Sequence, residues 1–217
     1  MNHLSIKCKP LDLLLNGGIE NKIITKIFGE AGSGKTNFCL QASRECALLG
    51  KKVAYIDSEG VSLERLIQVC SDYKYKDIFS KIIFFNPTSI EEQESMIDES
   101  LKIKNLGLII VDTINLFYRI NLEDDKEGSM RSFTRQMANL QISSREKKIF
   151  TIIIEQVFTD KNGIIKPFTN RDTEHMVKTI IRFEKIDIGI RQAILLKHRS
   201  EPENKKVTFK ITQKGLE

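Results

Sequence analysis

The sequence lacks most of the features that would place it outside the cell or in a membrane. Its four cysteines, Cys8, Cys39, Cys46 and Cys70, form no C-x-x-C pair and have no histidine cluster beside them. That spacing argues against both a zinc site and a disulfide framework. Cys39 and Cys46, seven apart on an expected helix, read as small core residues. The longest apolar runs, such as residues 106–111 and 149–154, are six residues each, against the roughly 20 a membrane-crossing helix needs. Lys7 and Lys9 precede an apolar stretch at 11–15, but Asp12 interrupts it and no cleavage-like tail follows, so no export signal is evident. A cytoplasmic location and no membrane partner are expected. There is also no internal repeat, no low-complexity tract and no linker rich in Pro, Gly and Ser. With 217 residues, the chain suffices for one substantial α/β core and is short for two. A single domain over residues 1–217 is expected. The balance of 34 basic against 29 acidic residues, +5, permits a polyanionic partner without demanding one.

What is present begins with Gly29-Glu30-Ala31-Gly32-Ser33-Gly34-Lys35-Thr36, a complete G-x-x-x-x-G-K-[ST] loop between an apolar run at 23–28 and a helix-like run at 37–49. Such a pattern arises by chance in roughly one chain in a hundred of this length, and the strand before and helix after lower that further. The residue types suit a nucleoside triphosphate. Glycines let successive N–H groups and the helix N-terminus point at phosphates. Lys35 would neutralise the β and γ phosphates, and Thr36 would hold Mg²⁺. Asn37 directly follows as a further nucleotide-side residue.

Strand-type runs at 22–28, 53–57, 82–85, 108–112 and 149–155 alternate with segments of helical length, which predicts a mostly parallel sheet with helices on both faces. Ligand groups in such folds gather at the carboxyl ends of the strands. Runs at 177–183, 192–197 and 206–211 alternate apolar and polar residues and read as antiparallel additions to the sheet edge. Two segments, 121–129 and 159–172, lack periodicity and are expected as loops near the ligand end, where long loops tend to be functional.

Three strand ends supply the rest of the candidate site. The run 108–112 ends in Asp112, a carboxylate suited to the Mg²⁺ shell roughly 75 residues after the phosphate loop. Tyr55-Ile56-Asp57-Ser58-Glu59-Gly60 offers two carboxylates; Glu59 is the candidate base for an attacking water, and Asp57 reads as a structural cap. On spacing alone, Gln156, after the run 149–155, is only a polar residue at a strand end, placed where it could meet the γ-phosphate.

These pieces, in this order, resemble the ATPase core of the RecA/RadA recombinase superfamily, and within it the archaeal RadB family of short RadA paralogues. The similarity covers nearly the whole chain. Residues 10–19, PLDLLLNGGI, resemble the family's opening "LD-LLGGGI"; residues 55–60 followed by Glu64-Arg65-Leu66 resemble "YIDTEG…ERL". The resemblance implies an RecA-like fold, ATP and Mg²⁺ as cofactors, Glu59 as catalytic base, Arg65 beside the adenine, and Gln156 as the sensor of the γ-phosphate ahead of a second DNA loop. Arg135-Gln136-Met137 matches the helix after the first DNA loop. Only 28 residues precede the phosphate loop, and they resemble neither the helical DNA-binding domain nor the aromatic linker of the larger relatives, so a filament-forming strand-exchange enzyme is not expected.

The resemblance thus implies an accessory protein of recombination and repair that binds nucleotide and DNA, hydrolyses ATP poorly, and acts on a RadA-type recombinase; a homodimer is compatible with it. Candidate DNA cations are Arg119, Lys126 and Arg131 around the first loop, and Lys161, Lys166 and Arg171 in the second, with Phe158 and Phe168 as stacking platforms. Glu123, Asp124 and Asp125 oppose them. Binding of this type would be single-stranded, salt-sensitive and without base specificity. Lys197-His198-Arg199 resembles the cationic finger that some RecA-like ATPases insert into a neighbour's site; on one strand, Lys197 and Arg199 would share a face, with His198 exposed between them. The alternatives are a KaiC-like regulatory ATPase acting on protein partners without DNA, and a nucleotide-gated binding module without turnover.

Overall fold

The structure, a computed structural model, describes residues 2–159, 165–167 and 171–217, with Thr159, Ile165, Lys166, Pro167, Arg171 and Asp172 described by their backbone alone. A small antiparallel ribbon of β1 (His3–Leu4) and β2 (Ile19–Glu20) brackets helix α1 (Lys9–Leu14). Then come β3 (Ile24–Gly29), α2 (Lys35–Leu48), β4 (Lys52–Asp57), α3 (Leu63–Val69), α4 (Tyr75–Phe79), β5 (Ile82–Phe85), α5 (Ile90–Ser100) and β6 (Leu106–Asp112). Helices α6 (Leu116–Asn121) and α7 (Lys126–Lys147) lead to β7 (Phe150–Glu155). A hairpin of β8 (Val157–Thr159) and β9 (Ile165–Pro167) and a 3-10 turn (Arg171–Met176) precede β10 (Val177–Asp187), β11 (Ile190–Lys197), β12 (Lys206–Thr212) and β13 (Gly215–Leu216).

Nine strands form one sheet in the order β13-β12-β11-β10-β3-β7-β6-β4-β5. From β10 to β5 every neighbouring pair is parallel, and from β10 to β13 every pair is antiparallel. The central strands β3, β6 and β7 are buried along their whole length. That is why they read as unbroken apolar runs rather than alternations: helices cover both faces. Residues of β6 divide between two cores. Leu108 and Ile110 face one containing Phe38, Tyr55, Ile152 and Phe183. Ile109 and Val111 face the other, with Phe28, Phe133, Met137 and Ile153. Truncating one such side chain, as in Ile110→Ala, costs about 3 kcal/mol.

Two expectations need correction. The run at 177–183 is not an antiparallel addition: β10 pairs parallel with β3, from Val177 beside Ile24 to Phe183 beside Gly29, and antiparallel only with β11. Its apolar residues from Val177 to Phe183 are therefore buried between strands, while the half-buried Lys178 and Arg182 supplied the alternating pattern. The expected loop at 121–129 is largely helical, because α7 begins at Lys126 and runs 22 residues. Asp125 caps that helix by accepting from the Gly128 N–H at 2.9 Å, and its first buried residue is a small polar one, Ser129, so no apolar stripe marks the start.

Candidate functional site

The phosphate loop lies between β3 and α2. Gly29 passes so close to β10 that a Cβ there would sit 2.1 Å from the Phe183 carbonyl oxygen, and Gly34 caps α2 with φ +102°, a conformation glycine adopts without strain. The Ser33 N–H donates to the Glu30 carbonyl at 3.2 Å. The Lys35 ammonium donates to the carbonyls of Gly29 and Glu30, at 2.8 and 2.9 Å. Burial lowers the Lys35 pKa, opposed by the carboxylates of Asp112 and Glu59. Ala31 and Gly32 complete the turn.

Asp112, at the end of β6, is 3% exposed and accepts hydrogen bonds from the Tyr55 hydroxyl at 2.9 Å and the Thr36 hydroxyl at 3.2 Å. Burial raises its pKa to about 6; the two hydroxyls pull it down, while the nearby Glu59 pushes it up. The two expected metal ligands, Thr36 and Asp112, are thus in direct contact. Among the described residues no group of three or more His, Cys, Asp or Glu side chains could hold a metal. Two hard oxygens without a full cage suit Mg²⁺, which keeps waters and takes substrate phosphate as further ligand. The buried Ser33 hydroxyl has no hydrogen-bond partner among the described residues. An orphaned donor inside a glycine-rich turn fits a phosphate oxygen.

Glu59, Gln156 and Asn115 form the second cluster. The Glu59 Oε1 accepts from the Gln156 side-chain amide at 2.6 Å and from the Thr113 hydroxyl at 3.2 Å. Asn115, fully buried, grips the Gln156 backbone on both sides: its Oδ1 accepts from the Gln156 N–H at 2.8 Å, and its amide donates to the Gln156 carbonyl at 3.2 Å. Asn115 escaped the sequence reading; an asparagine three residues past a strand end has no signal apart from its burial. Asp57, by contrast, is a cap, accepting from the N–H groups of Glu59, Gly60 and Val61. Behind the cluster, buried Gln93 donates to the Ile114 carbonyl at 3.0 Å and to Gln136 Oε1 of α7 at 2.8 Å. Arg135 is held by Glu94 at 2.6 and 3.0 Å. Glu155 faces away from the cluster to Lys26, 3.2 Å away, both buried.

Arg65 sits beside the loop's helix. Its Nε donates to Asn37 Oδ1 at 2.6 Å, and its Nη atoms donate to Gln68 and to the carbonyls of Thr212 and Gln213. It therefore ties α2 and α3 to the β12–β13 turn. Burial lowers its pKa.

The remaining candidates divide. Arg119, Lys126 and Arg131 are all exposed at the α6–α7 corner, with Arg131 3.7 Å from Glu127. Phe158, on β8, is 45% exposed, enough to offer a ring face. Lys166 lies on β9 and Arg171 in the 3-10 turn; Lys161 and Phe168 lie outside the described residues. Lys197 and Arg199 do not share a strand face, because β11 ends at Lys197 and Arg199 lies in the bend beyond it. Lys197 donates to the Glu174 carbonyl at 3.4 Å. His198 is half-buried rather than exposed, its Nδ1 accepting from the N–H groups of Ser200 and Glu201, and burial lowers its pKa. No helix among the described residues is long and apolar enough to cross a membrane.

Comparison with known proteins agrees along the whole length. The Rad51 family profile matches residues 1–217. The chain is 44% identical to the DNA repair and recombination protein RadB of Methanococcoides burtonii, over 96% of this chain and 95% of the relative. It is 36% identical to the protein of the same description from Pyrococcus furiosus, over 99% and 95%. A crystal structure of a RadB recombinase superposes with a TM-score of 0.86 at 35% identity, covering 98% of each chain.

Proposed function

The chain belongs to the Rad51 family, on the RadB side of it, and from that premise we propose that it is an ATP- and single-stranded-DNA-binding accessory protein of DNA recombination and repair, with slow ATP hydrolysis and a RadA-type recombinase as partner. The full-length similarity to RadB proteins favours this over a KaiC-like regulator. Gly29 to Lys35 would hold the triphosphate, Thr36 and Asp112 the Mg²⁺, and Asn37 and Arg65 border the nucleoside end. Bound Mg²⁺ would neutralise charge on the β and γ phosphates. Glu59 would take a proton from water, its Oε1 held in place by the Gln156 amide and the Thr113 hydroxyl.

The observation that carries this reading is the 2.6 Å bond between Glu59 and Gln156. Gln156 is the last residue before the β8–β9 hairpin, and Asn115, which holds its backbone, is the residue before α6. A change at the candidate base is therefore transmitted to the starts of both proposed DNA segments through two side chains. DNA contacts would come from Arg119, Lys126 and Arg131 at the α6–α7 corner, and from Phe158, Lys166 and Arg171 after Gln156. Anisotropy of a fluorescent single-stranded oligonucleotide, across a salt series with and without Mg²⁺·ATP, tests it. Salt-sensitive binding altered by nucleotide is expected; no binding at low salt would contradict it.

A further inference from the structure

Strand β10 outruns its partner. It leaves β3 at Phe183, beside Gly29, and continues with β11 alone to Asp187, so residues 184–191 project past the end of β3 at the phosphate loop. Three contacts join the overhang to that loop. The Lys185 N–H donates to Glu30 Oε1 at 3.1 Å. The Arg191 Nε donates to the Gly32 carbonyl at 3.0 Å. The Lys185 side chain lies against Gly32, where a Cβ would meet its Cε at 3.3 Å and its Nζ at 3.4 Å.

Lys185 and Arg191 are also direct cross-strand partners. Like charges placed opposite one another on a sheet destabilise it. Among the described residues neither forms an ion pair, and the acids nearest in sequence are engaged elsewhere: Glu184 with Arg182 at 2.8 Å, and Asp187 with the Ile188 N–H at 2.7 Å. Glu30 reaches Lys185 through the backbone N–H, and Arg191 turns its Nη1 back to the Asp187 and Ile190 carbonyls, so the Lys185 ammonium beside Gly32 is placed to meet an anion held in that turn.

We propose that Lys185 and Arg191 belong to the polyphosphate site in the same protomer: Arg191 as a positioning residue that fixes the Gly32–Ser33 peptide, and Lys185 as a second phosphate-side cation beside Lys35. The Gly32 carbonyl and the Ser33 N–H lie on one peptide plane and point in opposite directions. Holding the carbonyl from the hairpin therefore fixes the turn in which the Ser33 N–H donates to the Glu30 carbonyl, and with it where the buried Ser33 hydroxyl is presented. This rests on the reading of the loop as a nucleotide site.

The test is equilibrium displacement of a fluorescent ATP analogue by Mg²⁺·ATP and by inorganic tripolyphosphate, for the wild-type chain and for Arg191→Ala, Arg191→Lys and Lys185→Ala, with ligand-free melting temperatures alongside. Arg191→Ala and Lys185→Ala are each expected to weaken both ligands about tenfold, the scale of one lost charge-assisted contact, without lowering the ligand-free melting temperature. Arg191→Lys restores charge but not the Nε bond and recovers only part of the loss. Binding within twofold of wild type in all variants would overturn the proposal while leaving the nucleotide site intact. Losses that merely track a fall in melting temperature would also overturn it. No binding by the wild-type chain would overturn both readings.

Discussion

The carboxyl ends of β3, β4, β6 and β7 and the projecting end of the β10–β11 hairpin border the same phosphate loop on different terms. At the strand ends, each functional group follows a buried apolar run by one to three residues, as Asp112 ends β6, Glu59 follows β4 and Gln156 follows β7. Their positions come from parallel pairing, which aligns the strand ends whatever the loops do. At the hairpin, Lys185 and Arg191 reach the loop only because β10 overhangs β3 and β11 returns in one particular register. A one-residue slip would turn both side chains to the other face. Chemistry fixed by topology tolerates change between the strands, whereas chemistry fixed by register does not.

Breaking the strand-end cluster gives the largest effect. Glu59→Gln should slow single-turnover ATP hydrolysis by roughly 100-fold or more, the scale of a lost general base, with ATP affinity nearly unchanged; equal rates would remove Glu59 from the mechanism. Asn115→Ala leaves two half-buried backbone groups of Gln156 without their side-chain partners and should cost about 2 kcal/mol in urea unfolding, while abolishing the effect of nucleotide on DNA binding.

Asp112→Asn sharpens the contrast between stability and function. The Asp112 carboxyl has its pKa raised to about 6 in the fold, so the folded state favours its protonated form. The resulting penalty is fully present above pH 6, shrinks as pH falls, and is gone below its ordinary value of 3.8. Asp112→Asn should therefore stabilise the protein by about 2 kcal/mol at pH 7 and by much less at pH 4, while Mg²⁺-dependent nucleotide affinity falls. Urea midpoints at the two pH values check it. The smallest effect is expected at Arg199, past the end of β11: Arg199→Ala should change stability by under about 0.5 kcal/mol. A finger acting across protomers would show instead as a hydrolysis rate per protomer that rises with protein concentration and loses that rise in Lys197→Ala.

How much was legible follows the same division. The phosphate loop is contiguous and Asp112 closes a run of isoleucine and valine, so both could be read from the residues, whereas Gln156 was only a polar residue at a strand end until the family resemblance gave it a role, and Glu59 was one of two carboxylates there. Asn115 was hidden because a residue that grips another residue's backbone needs no periodicity. The parallel partner of β10 was hidden because Lys178 and Arg182 break its apolar run as polar residues break an edge strand, although Val177, Ile180, Ile181 and Phe183 are buried. The start of α7 was hidden because Gly128, Ser129 and Ser132 fill its first turns where an apolar stripe would have marked them. Lys185 and Arg191 stand more than 150 residues from the glycines they meet, a separation that only strand register bridges.

The central claim is that the loop from Gly29 to Thr36 binds a nucleoside triphosphate. Calorimetric titration of Mg²⁺·ATP into the wild-type chain and into Lys35→Ala tests it most directly. The account predicts saturable binding at one site per chain, weakened by roughly 100-fold or more when the Lys35 charge is removed. Identical heats from the two proteins, or no binding by either, would contradict it.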